Sequence, residues 1–175
     1  MRAASLDLKA KIREVSDFPT PGIGFKDIMP LLADAEALRE SIDRMAEWAE
    51  SRRPELVVGG EARGFFLGAA LAYRLGCGFV PARRPGKLPP ETIRREYELE
   101  YGSNVLELQA DALAGNTRVL IHADVLATGG TARAMAELVE TLGGVVVGFT
   151  FLIELTFLKG RERLPGHDVL ALIDY

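Results

Sequence analysis

The sequence predicts an α/β domain over residues 1–175, with a central, mainly parallel sheet flanked by helices. Short apolar runs such as 145–152 are typical of strands buried on both faces, and segments with helical periodicity lie between them. The length of 175 residues is that of one domain. A content of 48% hydrophobic and 26% charged residues excludes a disordered chain, a collagen and a coiled coil.

The first half of the chain is predicted to hold three helices and two short strands. Their ranges are, in order, helix 6–15, helix 35–52, strand 56–58, helix 64–75 and strand 79–81. The first helix is predicted from the spacing of Leu8, Ile12 and Val15, which would share one face. Asp34 is placed to cap the second helix, and Gly76 to end the third.

The second half is predicted to begin with a flexible flap over residues 83–104. Residues 83–95 hold three prolines and five cations, a composition typical of a mobile loop. Residues 96–101 alternate acidic and apolar side chains, which indicates a strand, and 105–109 continue that layer as a hairpin. The remaining elements are predicted at strand 118–121, helix 131–142, strand 145–152 and strand 169–173.

Composition also excludes several classes of protein. A net charge of −4 argues against a general nucleic-acid binder. A single cysteine excludes an internal disulfide framework and a multi-cysteine zinc site, and two histidines argue against a histidine-rich metal centre. No apolar run reaches the roughly 18–20 residues that span a bilayer, and no signal-peptide core is visible. We therefore expect a cytoplasmic protein without a membrane partner, in which Cys77 and His167 are structural.

The sharpest motif lies at 119–131, where an apolar strand ends in a carboxylate and small residues lead into a helix. Backbone N–H groups of such a turn point at an anion, and the helix N-terminus adds a favourable field. Thr128 and Thr131 offer hydroxyl donors, and Asp124 can accept from ribose hydroxyls. This arrangement suits a sugar phosphate, although the glycine and lysine spacing of a Walker A loop is missing. The plain alternative is an ordinary strand-to-helix turn.

This loop resembles the donor-binding loop of the type I phosphoribosyltransferases, in which two adjacent acids precede the segment that corresponds to 127–131. The resemblance extends to adenine phosphoribosyltransferases through four further segments. These are the base-recognition segment 17–28, the pyrophosphate loop 61–65, the catalytic end of the flap at 99–102, and the late base-site strand with its turn at 154–161. All five lie in register along the chain. The resemblance implies the type I phosphoribosyltransferase fold, with residues 1–34 recognising the base.

The chain departs from the family pattern just before this loop. Ala123 stands where the family has the first of its two acids, and His122 stands where it has an aliphatic residue. One of two acceptors for the ribose diol is therefore absent. A lost charge-assisted hydrogen bond is worth about 1.5–3 kcal/mol, which is roughly a tenfold to hundredfold weaker ribose interaction. We expect His122 to be a buried, hydrogen-bonded side chain.

The resemblance implies transfer of the phosphoribosyl group of 5-phosphoribosyl-1-pyrophosphate to N9 of adenine, which gives AMP and pyrophosphate. Residues implied in donor binding are Ala62, Arg63, Arg83, Lys87, Tyr101, Asp124, Ala127, Thr128, Gly129, Gly130 and Thr131. Residues implied in adenine binding are Gly24, Phe25, Lys26 and Leu155. Glu100 is the implied catalytic acid or base at N7 of adenine. The resemblance also implies magnesium carried by the substrate, no protein metal site, and a homodimer.

Several of these residues have a plainer interpretation. Glu100 belongs to an alternating acidic face with Glu96 and Glu98, which solvent alone would explain. Phe25 can be a loop anchor packed into the core, instead of a stacking partner of the purine. The cations of the flap can form a solvated basic loop.

Two other functions stay open from the sequence. One is a phosphoribosyltransferase for a 6-oxopurine such as hypoxanthine, guanine or xanthine. Such a site is expected to offer a side-chain donor to O6, whereas the segment 24–26 resembles the adenine type. The other is a binding or regulatory protein that senses the donor without turnover, an alternative that Ala123 leaves open.

Overall fold

The computed structural model describes residues 6–98 and 102–175. The strands are β1 (Arg13–Val15), β2 (Phe25–Asp27), β3 (Leu56–Gly60), β4 (Gly78–Ala82), β5 (Thr92–Glu98), β6 (Ser103–Gln109), β7 (Arg118–Leu126), β8 (Val145–Glu154) and β9 (Val169–Asp174). The α-helices are α1 (Met29–Ala33), α2 (Ala35–Glu50), α3 (Gly64–Leu75) and α4 (Gly130–Thr141). None of the helices in these ranges is long and apolar enough to cross a membrane.

Five strands form an entirely parallel sheet in the order β4-β3-β7-β8-β9. The chain runs outward from β3 to β4 on one side and from β7 through β8 to β9 on the other. The order of the strands therefore reverses between β3 and β7, and ligands of open α/β sheets bind in the crevice at such a point. The predicted α/β class with a parallel sheet is confirmed.

Helices cover both faces of this sheet, so each strand contributes to two cores. Val58 and Ile121 belong to the core beneath α4, whereas their neighbours Val57 and Leu120 belong to the core beneath α2 and α3. Successive side chains of a strand point to opposite faces, and here both faces of the sheet are buried from solvent. This burial explains why the strands appear in the sequence as continuous apolar runs.

Local signals placed the main helices correctly. The carboxylate of Asp34 accepts hydrogen bonds from the N–H groups of Glu36 and Ala37 at 3.0 and 3.1 Å, which caps α2. Gly76 ends α3 with φ at +69°, a conformation that glycine adopts without steric cost. Both predicted caps are confirmed.

The predicted helix 6–15 is wrong. Only a 3-10 turn forms at Lys9–Lys11, and Arg13–Val15 is a strand that pairs antiparallel with Phe25–Asp27. Leu8 and Ile12 are buried as their spacing suggested. They flank the 3-10 turn, with Ile12 directly before β1, and do not lie on a helix. Pairing with residues ten to fourteen positions away decided the conformation of this segment, and local periodicity does not reveal such pairing.

Two predicted boundaries also shift. Residues 83–95 are not a loop throughout, because β5 begins at Thr92 and pairs with β6 as an antiparallel hairpin. The strand predicted at 118–121 continues to Leu126, so Asp124 lies within β7 and not at its end. The hairpin packs beside α4, where Arg95 forms an ion pair with Glu137 at 2.9 Å.

Candidate active site

A cavity of about 380 Å³ opens at the carboxyl edge of the parallel sheet, where the strand order reverses. Its walls come from four parts of the chain: residues 23–26, the loop after β3, the whole of 123–132, and Phe151 with Leu155 at the end of β8. These parts are distant in sequence, and parallel strands bring their ends to one edge. The structure thus gathers most of the predicted base and donor segments around one space.

The turn 127–129 joins β7 to α4 along one side of this cavity. Gly129 has φ at +84°, and a β-carbon placed on it would lie 2.5 Å from the carbonyl oxygen of Gly160. Both the backbone conformation and the close approach therefore require glycine. Thr128 and Thr131 line the cavity beside the N-terminus of α4, which is a favourable place for a phosphate group.

Asp124 points into the cavity from β7 with only 7% of its surface exposed. Its Oδ2 atom lies 2.9 Å from Nε of Arg63, but accepts no aligned hydrogen bond among the described residues. Burial raises the pKa of the Asp124 carboxyl, and the guanidinium of Arg63 opposes that effect. The site therefore holds a buried acceptor next to a cation, with lone pairs left for a ligand.

Arg63 lies between the two predicted subsites. Besides its ion pair with Asp124, its guanidinium carbon lies 5.3 Å from the centre of the Phe25 ring. The loop that carries it includes a cis peptide bond between Glu61 and Ala62. The Arg63 side chain lines the cavity, whereas Ala62 does not.

The predicted adenine residues Gly24, Phe25, Lys26 and Leu155 also line the cavity. Phe25 is half-buried and packs edge-on against Phe18, with ring centres 5.1 Å apart. Lys26 directs its ammonium group to Glu14 at 2.6 Å. The Leu155 N–H donates to the carbonyl of Leu126 at 2.9 Å. This hydrogen bond links the end of β8 to the residue just before the turn 127–129.

Some predicted residues do not reach the cavity. Arg83 donates from Nε to Oε2 of Glu61 at 3.1 Å, and neither Arg83 nor Lys87 lines the cavity. Although burial favours the neutral form of Glu61, the Arg84 N–H and the Arg83 guanidinium lower the pKa of its carboxyl. The predicted residues Glu100 and Tyr101 lie outside the described residues.

A contact between the flap and the N-terminus of α4 is not predicted from the sequence. The hydroxyl of Thr131 donates to the hydroxyl oxygen of Tyr97 at 3.3 Å. The strand alternation of residues 96–98 was the available signal, because it assigns Tyr97 to a different face from its acidic neighbours. Sequence spacing alone could not show which element that face would meet.

His122 is fully buried in β7, with Nδ1 3.1 Å from the hydroxyl oxygen of Thr150. Burial lowers its pKa to about 4, so the ring is neutral at pH 7. The prediction of a buried, hydrogen-bonded histidine is confirmed. Its neighbour Ala123 faces the cavity, where a second carboxylate would otherwise stand.

No protein-family model matches the chain. An adenine phosphoribosyltransferase of Clostridium perfringens is 55% identical over 170 residues, which are 97% of this chain and 99% of that protein. The corresponding protein of Thermotoga maritima is 56% identical over 170 residues, 97% of this chain and 98% of its own length. The chain belongs to the adenine phosphoribosyltransferase family.

Solved structures of adenine phosphoribosyltransferases share its fold. The Thermoanaerobacter pseudethanolicus enzyme has a TM-score of 0.94 at 55% identity, with 97% of this chain and 98% of that chain covered. The Saccharomyces cerevisiae enzyme, complexed with adenine and an imino-altritol bisphosphate, has a TM-score of 0.90 at 39% identity over 95% and 96%. The Giardia lamblia enzyme, complexed with 9-deazaadenine, has a TM-score of 0.92 at 37% identity over 97% and 96%. The predicted type I phosphoribosyltransferase fold is confirmed.

Proposed function

We propose that this chain performs the reaction of its family at the cavity described above, by transferring the phosphoribosyl group of 5-phosphoribosyl-1-pyrophosphate to adenine. The bond from C1 of the ribose to pyrophosphate breaks, a bond to N9 of adenine forms, and AMP and pyrophosphate leave. The observation that carries this proposal is the meeting of the phosphate loop 127–131, the buried carboxylate of Asp124 and the base segment 24–26 in one cavity.

The donor would bind along the β7 to α4 connection. Backbone N–H groups of the turn, with the hydroxyls of Thr128 and Thr131, would donate to the 5-phosphate. Asp124 would accept from the ribose hydroxyls through its Oδ2 atom, which accepts no aligned hydrogen bond from a described residue. Arg63 would then exchange its contact with Asp124 for the oxygens of pyrophosphate, which suit the fork of a guanidinium group.

Positive charge grows on the ribose ring as the bond to pyrophosphate breaks, so water must be excluded. The flap is the element available for this, because its first strand already touches the phosphate loop through Tyr97 and Thr131. We place Glu100 in this flap as the acid or base at N7 of adenine, with Tyr101 beside it and Arg83 and Lys87 neutralising pyrophosphate on closure.

The adenine site would read the base with backbone groups. Phe25 and Leu155 offer apolar surfaces for the two faces of the purine, and the backbone of Gly24 and Lys26 would meet its Watson–Crick edge. A 6-oxopurine site calls for a side-chain donor to O6. Lys26 is the one lysine among the described cavity residues, and its ammonium group is engaged by Glu14. This arrangement favours adenine.

Magnesium fits this donor set only as an ion carried by the donor's phosphates. The described residues hold no cluster of three or more potential ligands, and the carboxylates that line the cavity are those of Glu61 and Asp124. Magnesium retains several waters and is usually held by substrate phosphates together with one or two carboxylates, so the donor would carry the ion. Glu61 is engaged by Arg83, and Asp124 is therefore the cavity carboxylate left to contact a donor-bound ion. The ion would neutralise charge on the departing pyrophosphate.

We also propose that the enzyme is a homodimer. Phe66 and Tyr73 lie seven residues apart on α3, where they share one face, and are 51% and 90% exposed. Exposed aromatic side chains of this kind are typical of a protein interface. The cytoplasmic location stays a prediction of the sequence.

A base panel tests the proposed function. The enzyme is incubated with donor, magnesium and one of adenine, hypoxanthine, guanine or xanthine, and nucleotide products are separated by chromatography. We expect AMP alone, and Asp124→Asn should give less of it because this variant should bind the donor more weakly. IMP, GMP or XMP as the main product would support the 6-oxopurine function, and donor binding without any nucleotide would support the regulatory function.

Glu100 is tested by its own pair of variants. We expect Glu100→Ala to lower kcat by about a hundredfold or more, the range of general acid–base catalysis, while the circular dichroism spectrum stays unchanged. Glu98→Ala, on the same predicted acidic face, should leave kcat within twofold. An unchanged rate for Glu100→Ala would remove that residue from its proposed role.

A further inference from the structure

We propose that Tyr175 is a positioning residue for adenine, because it fastens the strand that carries Phe25 and Lys26 to the segment that carries Leu155. The inference rests on the proposed function, in which these two segments form the opposite walls of the base site. Tyr175 does not line the cavity itself and would act through its neighbours.

The first wall meets the side chain of Tyr175. The ammonium nitrogen of Lys26 lies 3.9 Å from the centre of the Tyr175 ring, and that of Lys9 lies 4.2 Å from it. Such cation–π contacts are strongest when the cation is partly desolvated, and the Lys26 side chain is only 18% exposed. Glu14, across the β1–β2 pair, holds the same ammonium group at 2.6 Å.

This contact matters because β2 lacks the support that other site strands have. Among the described residues, β2 pairs only with β1, and the two form a sheet separate from the five parallel strands. Side-chain contacts must therefore set its position. On the cavity side, Phe25 is contacted by Arg63, which we expect to leave for pyrophosphate when the donor binds. Lys26 follows Phe25 in the strand, so its side chain points to the other face of β2, and we expect its contact with Tyr175 to be retained when the donor binds.

The second wall meets the backbone of Tyr175. Its carbonyl oxygen accepts from the N–H of Thr156 at 2.9 Å and from the Thr156 hydroxyl at 2.7 Å. Its N–H donates to the carbonyl of Glu154 at 3.0 Å. These two partners are the residues on either side of Leu155, so Tyr175 holds Leu155 from both sides.

The ring is suited to this role over the working pH range. Burial, followed by the negative charges of Glu14 and Asp7, raises the pKa of the Tyr175 phenol above its ordinary value. The ring therefore stays neutral at pH 7, and its face remains available to the two ammonium groups. The phenol proton itself is not needed for the contact.

Two substitutions of Tyr175 distinguish the contribution of the aromatic ring from that of the hydroxyl group. Tyr175→Leu keeps the backbone hydrogen bonds but removes the aromatic face, and Tyr175→Phe keeps the face. We expect Tyr175→Leu to raise the KM for adenine about five- to tenfold, the worth of a partly desolvated cation–π contact. The KM for the donor should stay within twofold. Tyr175→Phe should resemble the unsubstituted enzyme in both constants.

A double-mutant cycle with Lys26→Met tests whether the effect passes through Lys26. We expect Lys26→Met alone to raise the adenine KM, and Tyr175→Leu to add little in the Lys26→Met background. A fully additive effect, an unchanged adenine KM, or an equal rise in both KM values would overturn the inference. Calorimetric binding of adenine to the same four proteins gives the same comparison without turnover. Failure of the unsubstituted enzyme to make AMP would instead refute the proposed function.

Discussion

Two opposing influences act on the carboxyl group of Asp124. Burial favours its neutral form, and the ion pair with Arg63 favours the charged form that a ribose acceptor needs. A second carboxylate at position 123 would add like charge and raise the pKa of both groups. Ala123 thus removes one hydrogen-bond acceptor, but it also leaves Asp124 easier to ionise.

Restoring the family's acid should nevertheless strengthen donor binding. We expect Ala123→Asp to lower the KM for the donor by about tenfold, because one charge-assisted hydrogen bond to the ribose is regained. Initial rates at saturating adenine give this constant, and Ala123→Asn serves as an uncharged control of similar size. An unchanged donor KM would mean that the missing acid is compensated elsewhere in the site.

His122 should make the fold sensitive to acid. Its pKa falls from 6.5 in the unfolded chain to about 4 in the folded one, so the folded state resists protonation. The stability that this provides is present above pH 6.5 and is lost as the pH falls towards 4, by about 3 kcal/mol in all.

Urea unfolding of the unsubstituted protein and of His122→Val, at pH 7 and pH 4, measures this loss. Carboxyl groups titrate equally in both proteins, so only the difference between the two reports on the histidine. We expect His122→Val to lose about 3 kcal/mol less between the two pH values. Equal losses would show that His122 is not buried in its neutral form.

At the scale of elements, the turn after β8 supports the phosphate loop. Arg161 holds the buried carboxylate of Glu154 through Nε and Nη2 at 2.7 to 2.9 Å, which closes the turn. Gly160 then packs against the Ala127 carbonyl and the Leu126 side chain so closely that a β-carbon would overlap them. Leu155 adds a hydrogen bond to Leu126. The turn after β8, from Leu155 to Arg161, and the phosphate loop 127–131 therefore form one packed unit.

Gly160→Ala should disturb that unit. The added methyl group must push the carbonyl of Ala127 away, so we expect the donor KM to rise about tenfold, a cost of about 1.4 kcal/mol. Steady-state kinetics and thermal unfolding measure this effect. Gly115→Ala is the matched control, because a β-carbon there meets open space. Equal donor KM values for the two variants would exclude a supporting role for this turn.

The elements differ in how far the sequence could predict them. The helices and strands of the central sheet follow from local periodicity and caps such as Asp34 and Gly76. Their bounds are predicted within two residues, except that the strand predicted at 118–121 continues to Leu126. The segment 6–15 was not, because its strand depends on pairing with Phe25–Asp27. In the site, most of the predicted base and donor segments line one cavity, but the contacts of Arg63 with Asp124 and of Tyr97 with Thr131 depend on tertiary placement that no spacing encodes.

On the scale of the whole molecule, the donor would contact loops after β3 and β7 and the flap, which belong to distant parts of the chain. We expect donor with magnesium at a hundred times its Kd to stabilise the fold by about 2.7 kcal/mol. That is a rise in Tm of about 5–10 °C for a chain of this size. Differential scanning fluorimetry measures it.

Adenine alone contacts fewer segments and should bind more weakly, so it should raise the Tm less than the donor does at the same free concentration. Asp124→Asn should reduce the donor effect at a fixed donor concentration. A larger rise with adenine alone than with donor would contradict the assignment of the two subsites.

The β1–β2 pair has a consequence for how substrate choice can change. Within the described residues it shares no ladder with the five parallel strands, while the phosphate-binding turn is built directly on one of them. In the function that we propose, one wall of the base site is thus carried by an accessory two-stranded sheet, whereas the phosphate site and Leu155 belong to the central sheet. We therefore expect that replacing the β1–β2 pair with that of a relative of different base preference would alter base choice and leave the central sheet, with its proposed donor site, intact.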